Sequence, residues 1–271
     1  VDPLAAQLHH EVVELALGPA QRELAARDDR DAGRVVAAVL EAPEPLDQHV
    51  DRAAVVLSAT KGLEDGSLLR MSEVIRAEWH HVDEVAVISG PSFARELARS
   101  LPTAVVVASS NEGAVRHVQE EFRSGALRLY ASSDVTGVEL GGALKNVIAI
   151  AAGVVEGLGL GHNALAALIP RGLAEISRLA VAAGGERDTL AGLAGMGDLV
   201  LTCTGQLSRN RHVGLELARG RTLAEVVADM KMVAEGVRTT HAALAFGRRF
   251  GVELRPAVAA QGVEHVARQA L

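Results

Sequence analysis

Residues 138–153 read VELGGALKNVIAIAAG, a run of small and aliphatic side chains carrying one lysine, Lys145, and one asparagine, Asn146. Small and apolar residues fall on every face of that run, which predicts a helix buried on most sides. A lysine there either snorkels to an edge or holds a functional partner. Desolvation or a neighbouring cation would lower its pKa toward neutrality, making it a competent general acid or base.

Other stretches offer complementary chemistry. SGPSFARE (89–96) ends a strand at Gly90 and Pro91 and puts Ser92 where a helix N-cap belongs. Its free amides and hydroxyl would face the carboxyl edge of a sheet, a place for an anion or a carbonyl. TKGLE (60–64) sets Lys61 at the end of the preceding strand, on the same edge. SRNRHVG (208–214) offers Ser208 as the N-cap of a helix with Arg209, Asn210 and Arg211 in its first turn. Cations at that end oppose the helix dipole. The placement makes sense where a bound phosphate uses both the dipole and a bidentate guanidinium. Each stretch also has a plain reading, respectively a capped turn, an exposed lysine at a strand end and a solvated helix face. Asp198 in GLAGMGD (192–198) reads most simply as the N-cap of LVLTCT.

Composition narrows the classes of function. The chain has 271 residues, 49% hydrophobic and 23% charged, with a formal charge of −7. That suits one large or two modest globular domains. Scattered Lys and Arg and only 2% aromatics argue against a nucleic-acid surface. The single cysteine, Cys203, excludes an intrachain disulfide and a thiolate zinc site, and fits a reducing, cytoplasmic setting. Ten histidines without HExxH spacing give no metal site. No apolar run is expected to span a bilayer, because Lys145 and Asn146 interrupt the best candidate.

These residues need elements to position them. AAVVLSAT (53–60), EVAVIS (84–89), TAVVVAS (103–109) and LRLYAS (127–132) read as strands. Helices are expected over 68–78, 92–99 and 111–122, and also at 3–17 and 34–40. Strands alternating with helices imply an α/β unit with a parallel sheet. After Ser133 only helical patterns appear, at 134–155, 164–183, 207–219, 222–230 and 235–250. The expected boundary therefore gives 1–132 and 133–271, with ligands binding in the crevice of such an arrangement. GLGLG (157–161) follows a helix instead of a strand and reads as an interhelical turn, not a dinucleotide loop.

Taken in order, SGPSFARE, DVTGVELGGALKNVIAIAAGVVEGLGLGHNALAALIPRGLAEI, GLAGMGDLVLTCTGQLSRNR and VAEGVRT closely resemble the bacterial-type NAD(P)-dependent glycerol-3-phosphate dehydrogenases, from about Ala53 to about Arg255. The resemblance implies a Rossmann-like domain, incomplete here, followed by an all-helical substrate and catalytic domain. It implies hydride transfer between NAD or NADP and the pair dihydroxyacetone phosphate and sn-glycerol 3-phosphate, serving glycerophospholipid synthesis. Lys145 would be the catalytic lysine. Lys61, Gly90, Ser92, Asp198, Ser208, Arg209 and Asn210 match substrate positions, and Lys61, Ala94, Arg209, Val233 and Glu235 match cofactor positions. No nucleic acid or membrane insertion is implied, and a homodimer is the general expectation for symmetric assemblies.

Residues 1 to about 33 do not resemble the family, and the strand and GxGxxG loop expected there are not found, which implies weak cofactor binding by this chain. A cofactor-deficient relative that only binds a ligand or a partner is the alternative. Smaller departures are His162, Pro170 and Gly205. Pro170 inside a helix should cost about 3 kcal/mol unless the helix is relieved there.

Overall fold

A computed structural model of the chain describes residues 35–38, 54–80, 82, 84–230 and 235–254. The expected helix at 3–17 lies outside the described residues. Two compact units emerge, one from the described parts of Val1–Thr60 and Met71–Val135, the other from those of Lys61–Arg70 and Thr136–Leu271.

The first unit is a five-stranded sheet in the order β1 (Val35–Ala38), β2 (Val55–Ser58), β3 (Glu84–Ser89), β4 (Thr103–Ala108) and β5 (Leu127–Ser132). Strand periodicity explains how it is covered. Val55 and Leu57 of β2 join Ala86 and Val107 on one face, under Ala114, Val115 and Val118 of the helix Glu112–Phe122. Val56 and Val85 point the other way and meet Ile75 and Trp79, in and just after the helix Met71–Glu78. Alternate residues of β2 and β3 thus bury against helices on opposite faces, so the middle of each of these strands is apolar on both sides.

Two expectations are corrected here. Residues 34–40 were expected to be helical, but Val35–Ala38 is a strand parallel to β2. The paired β-branched residues Val35 and Val36 favour extended backbone, and the ladder beside β2 outweighs the helical pattern of a short segment. The sheet is also mixed. β1, β2 and β3 run parallel, as do β4 and β5, but β3 and β4 are antiparallel. Only one helical turn, Ala94–Leu97, lies between β3 and β4. A parallel return usually needs a full crossover helix, and the chain reverses direction instead.

The second unit is helical. α4 (Val135–Gly157) follows the three helices of the first unit, and is followed by α5 (Gly161–Ala182), α6 (Arg187–Ala191), a π-helical turn (Leu193–Gly197), α7 (Asp198–Thr204), α8 (Arg209–Ala218), α9 (Leu223–Asp229) and α10 (Glu235–Arg249). α4 is buried almost throughout, from Gly137 to Val154. Contrary to the sequence expectation, it is long and apolar enough to cross a membrane, yet 94% of its apolar window is buried inside the protein. It is a core helix. Leu140, Leu144, Val147 and Ile148 pack with Leu173, Ile176 and Leu179 of α5, Leu199 of α7 and Phe246 of α10. Pro170 lies inside α5. Both Pro170 and Ala166, whose carbonyl loses its helical donor, are exposed, so water can satisfy that oxygen.

α4 and α8 cross in backbone contact. A Cβ built on Gly153 would lie 1.9 Å from the Arg211 carbonyl oxygen, and one on Gly214 would lie 1.9 Å from that of Ile150. Neither helix can approach the other with a larger residue at either position. Gly214→Ala is therefore expected to destabilise the fold by about 2–3 kcal/mol, as overpacking forces the helices apart. The midpoint of urea unfolding measures it.

Candidate functional site

Three ionic groups converge inside the helical unit. Asp198, in the first turn of α7, bonds Lys145 Nζ through Oδ1 and Lys61 Nζ through Oδ2, the latter at 2.6 Å. The carboxylate side chain is 1% exposed, that of Lys145 9% and that of Lys61 18%. Lys145 Nζ also donates to Thr202 Oγ1 at 2.9 Å, and Thr202 Oγ1 donates to the Asp198 carbonyl oxygen at 2.6 Å. One carboxylate thus serves two ammonium groups, and one hydroxyl fixes the inner of them.

The local structure explains each position. Lys145 sits mid-way along α4, buried by the helices around it. Asp198 is delivered by the π-helical turn before α7, a distortion often found at functional sites. It is not the N-cap that the sequence suggested. Gly197 takes that position with no side-chain bond. The Asp198 carboxylate gains more from two cations than from the amides of its own helix. Thr202 was missed in the sequence. Its spacing from Asp198, i and i+4 on one helix, was the available signal, since it places both side chains on one face.

Burial, and then the ammonium of Lys61, lower the Lys145 pKa from 10.5 to about 7, against the opposing pull of Asp198. The expected shift of a buried lysine toward neutrality is thus present, with both expected causes. Cys203, one residue beyond Thr202, is buried and its thiol is pushed up to about 12 by desolvation. It is inert near neutral pH.

The SRN turn is built as expected. Ser208 is the N-cap of α8 and its Oγ accepts from the Arg211 amide at 3.2 Å. Arg209 is exposed and, among the described residues, has no ion-pair partner. Arg211 differs, because its guanidinium pairs with Glu156 at 2.5 Å and so ties α8 to the end of α4. Asn210 is buried and its Oδ1 accepts from the Gly236 amide at 2.9 Å. A Cβ at Gly236 would lie 2.7 Å from that oxygen and 2.8 Å from the carbonyl of Asn146, the neighbour of Lys145. Asn210 therefore fixes the start of α10 beside α4.

Gly90, Ser92 and Ala94 belong to the first unit. Gly90 is buried with φ 146° at the end of β3, and Ala94 opens the one-turn helix. Ser92 is not its N-cap. Phe93 holds that position, and Ser92 Oγ donates to the Gly90 carbonyl at 3.0 Å. The hydroxyl thus closes the turn at Gly90 and Pro91. Val233 lies outside the described residues. Glu235 is the first residue of α10, and its side chain is likewise outside them.

The helical unit thus holds a buried amine of near-neutral pKa locked between a carboxylate and a hydroxyl. The family model described as "NAD-dependent glycerol-3-phosphate dehydrogenase C-terminus" matches residues 134–267, and its N-terminus counterpart matches 35–115, starting earlier than the resemblance read from the sequence. A protein of Acidobacterium capsulatum named glycerol-3-phosphate dehydrogenase [NAD(P)+] is 60% identical over 203 residues, covering 73% of this chain and 60% of the relative. One of Koribacter versatilis with the same name is 56% identical over 209 residues, covering 76% and 62%. The crystal structure of glycerol-3-phosphate dehydrogenase from Coxiella burnetii superposes with TM-score 0.79 at 40% identity, covering 87% of this chain and 74% of that one. The chain belongs to the NAD-dependent glycerol-3-phosphate dehydrogenase family. It spans 60% and 62% of the length of the two curated relatives named.

Proposed function

We propose that this chain carries the acid–base centre of an NAD(P)-dependent glycerol-3-phosphate dehydrogenase that interconverts dihydroxyacetone phosphate and sn-glycerol 3-phosphate. The observation that carries the reading is the buried Lys145–Asp198–Lys61 cluster with its near-neutral amine. In reduction, the ketone oxygen gains negative charge as its carbon receives hydride, and the Lys145 ammonium donates the proton that makes the secondary hydroxyl. In oxidation, the neutral amine takes the hydroxyl proton as hydride leaves the same carbon. Lys61 supplies a second cation for the developing alkoxide. Ser208, Arg209 and Asn210 hold the phosphate, with Arg209 offering a bidentate fork at a helix N-terminus. Gly90, Ser92 and Asp198 complete the substrate assignment.

NAD or NADP supplies or accepts the hydride when bound. Lys61, Ala94, Arg209, Val233 and Glu235 are assigned to it, and the exposed guanidinium of Arg209 suits an anionic cofactor as well as an anionic substrate. Among the described residues, the strand-to-helix turns after β3 and β4 lack the glycine-rich amide cradle a pyrophosphate needs, so no described residue is assigned to that group. Residues 1–132 are read as the partial dinucleotide-binding domain and 133–271 as the substrate domain. A cytoplasmic setting, which the single cysteine fits, a homodimer, the general expectation for symmetric assemblies, and a role in glycerophospholipid synthesis complete the reading.

The test is oxidation of NADH or NADPH with dihydroxyacetone phosphate as the only other substrate. Stoichiometric consumption of both supports the reading, and turnover that survives replacement of Lys145 refutes it. The sign of the pH dependence follows from the lowered pKa. Reduction needs the ammonium, so kcat/KM for dihydroxyacetone phosphate should fall as pH rises through about 7. Oxidation needs the neutral amine, so kcat/KM for glycerol 3-phosphate should rise through the same range.

A further inference from the structure

Lys61 reaches Asp198 from a segment, Lys61–Arg70, that packs entirely with the helical unit. The segment is a closed loop. Leu63 and Arg70 form an antiparallel bridge, the Glu64 amide donates to the Leu69 carbonyl at 2.9 Å, and the Leu68 amide donates to Glu64 at 3.0 Å. Leu68 adopts φ 61°, a left-handed conformation that a branched residue keeps only when its surroundings compensate. Leu63 is buried in the core around α4, and Leu68 packs against the same core. At the far end of the loop, Arg70 Nη1 donates to Glu139 Oε2 at 2.7 Å, with side chains 16% and 5% exposed. Glu139 lies on α4, six residues before Lys145. The loop is thus anchored at both ends of its stem to groups on or beside one helix.

We propose that Arg70 and Glu139 are a positioning pair, which pins the Lys61–Arg70 loop to the helix bearing Lys145 and so holds the Lys61 ammonium against Asp198. Neither residue touches the reacting atoms. Both act through Lys61, whose charge beside Lys145 helps keep the inner amine neutral near pH 7. Among the described residues, the groups that face Lys145 are Lys61 from this loop and Asp198, Thr202 and Cys203 from α7. Of these described groups, Lys61 alone is held by a loop and not by a helix.

The sign of one substitution separates this role from a direct electrostatic one. Glu139→Gln removes an anion from the helix of Lys145. If that charge acted directly, its loss would disfavour the ammonium and lower the Lys145 pKa. Release of Lys61 does the opposite, because a cation leaves and solvent reaches the amine. The inference rests on the proposed role of Lys145, but its test does not need turnover. The ε-amino reactivity of Lys145 toward an acylating reagent is measured by mass spectrometry across pH in the parent chain, Glu139→Gln, Arg70→Lys and Lys61→Met.

The expected result is that Glu139→Gln raises the Lys145 pKa by about one unit, a tenfold loss of neutral amine at pH values below both pKa values. Lys61→Met should raise it at least as far, and Arg70→Lys, which keeps the charge, should restore most of the parent value. An unchanged or lowered pKa in a folded Glu139→Gln protein would overturn the proposal and leave the pair a structural one. If Glu139→Gln fails to fold, Arg70→Met takes its place, and a pKa that stays at the parent value there overturns the proposal equally. If Lys145→Met keeps its activity while the titration behaves as stated, the catalytic reading fails and the positioning pair stands.

Discussion

Lys145→Met is expected to lower kcat for dihydroxyacetone phosphate reduction by about a thousandfold while leaving the protein folded, which is within the range general acid–base groups contribute. In barrier terms this is about 4 kcal/mol. The loss should fall on kcat more than on KM, because the proton is delivered in the transition state and the phosphate is held elsewhere, by Ser208, Arg209 and Asn210 on the proposed reading. Folding should survive for a reason visible in the site. Asp198 keeps Lys61 as its partner, at 2.6 Å, when the inner amine is removed. A thioether of similar length fills the same buried volume without a charge to desolvate. The pKa gives the sign independently. The unfolded chain binds a proton at Lys145 up to about pH 10.5 and the folded chain only to about 7, so this lysine's contribution makes stability rise with pH between those values. Below about 7 the parent carries the full burden of a buried ammonium. Lys145→Met should therefore melt no lower than the parent in mildly acidic buffer, and a thermal scan beside the kinetics checks both halves.

Asp198→Asn has the opposite character. It leaves two ammonium groups beside an amide that is 1% exposed, with no carboxylate between them. Breaking a buried ion pair by removing one partner typically costs 3–5 kcal/mol, and roughly that loss of unfolding free energy is expected here. The loss should be larger at about pH 6 than at about pH 8, because Lys145 is charged at the lower value and mostly neutral at the higher. The same substitution removes the main influence that raises the Lys145 pKa, so the amine should titrate lower still. Denaturant unfolding at the two pH values measures the first effect, and a loss independent of pH would show that the Asp198–Lys145 contact carries none of it.

Much of this site was legible in the sequence, for identifiable reasons. Lys145 stood out because an ammonium inside an apolar 23-residue helix needs an explanation, and the structure places it where that oddity pointed. The SRN turn was equally readable, because N-cap chemistry is local and Ser208 does what its type and position imply. What could not be read was any relation set by tertiary contact. Nothing near Asp198 in the chain says that its carboxylate abandons its own helix for Lys145, 53 positions away, and Lys61, 137 positions away. The antiparallel pairing of β3 and β4 escaped for a similar reason. The pattern of EVAVIS and TAVVVAS is apolar in either direction, and only the shortness of the helix between them sets the polarity. Val35–Ala38 shows the limit of local propensity, since its partner strand decides between helix and ladder. Arg211 was read with Arg209 as one of the cations of the first turn, and the structure separates them, one paired to Glu156 and one exposed.

The central claim is that the fold holds Lys145 as an amine that changes protonation near neutral pH. Its most direct measurement is the titration of that single ε-amino group, by pH-dependent acylation resolved to Lys145 by mass spectrometry. The account predicts a pKa of about 7, rising when Lys61 is replaced by methionine. A value near the ordinary 10.5, unchanged in Lys61→Met, would contradict it.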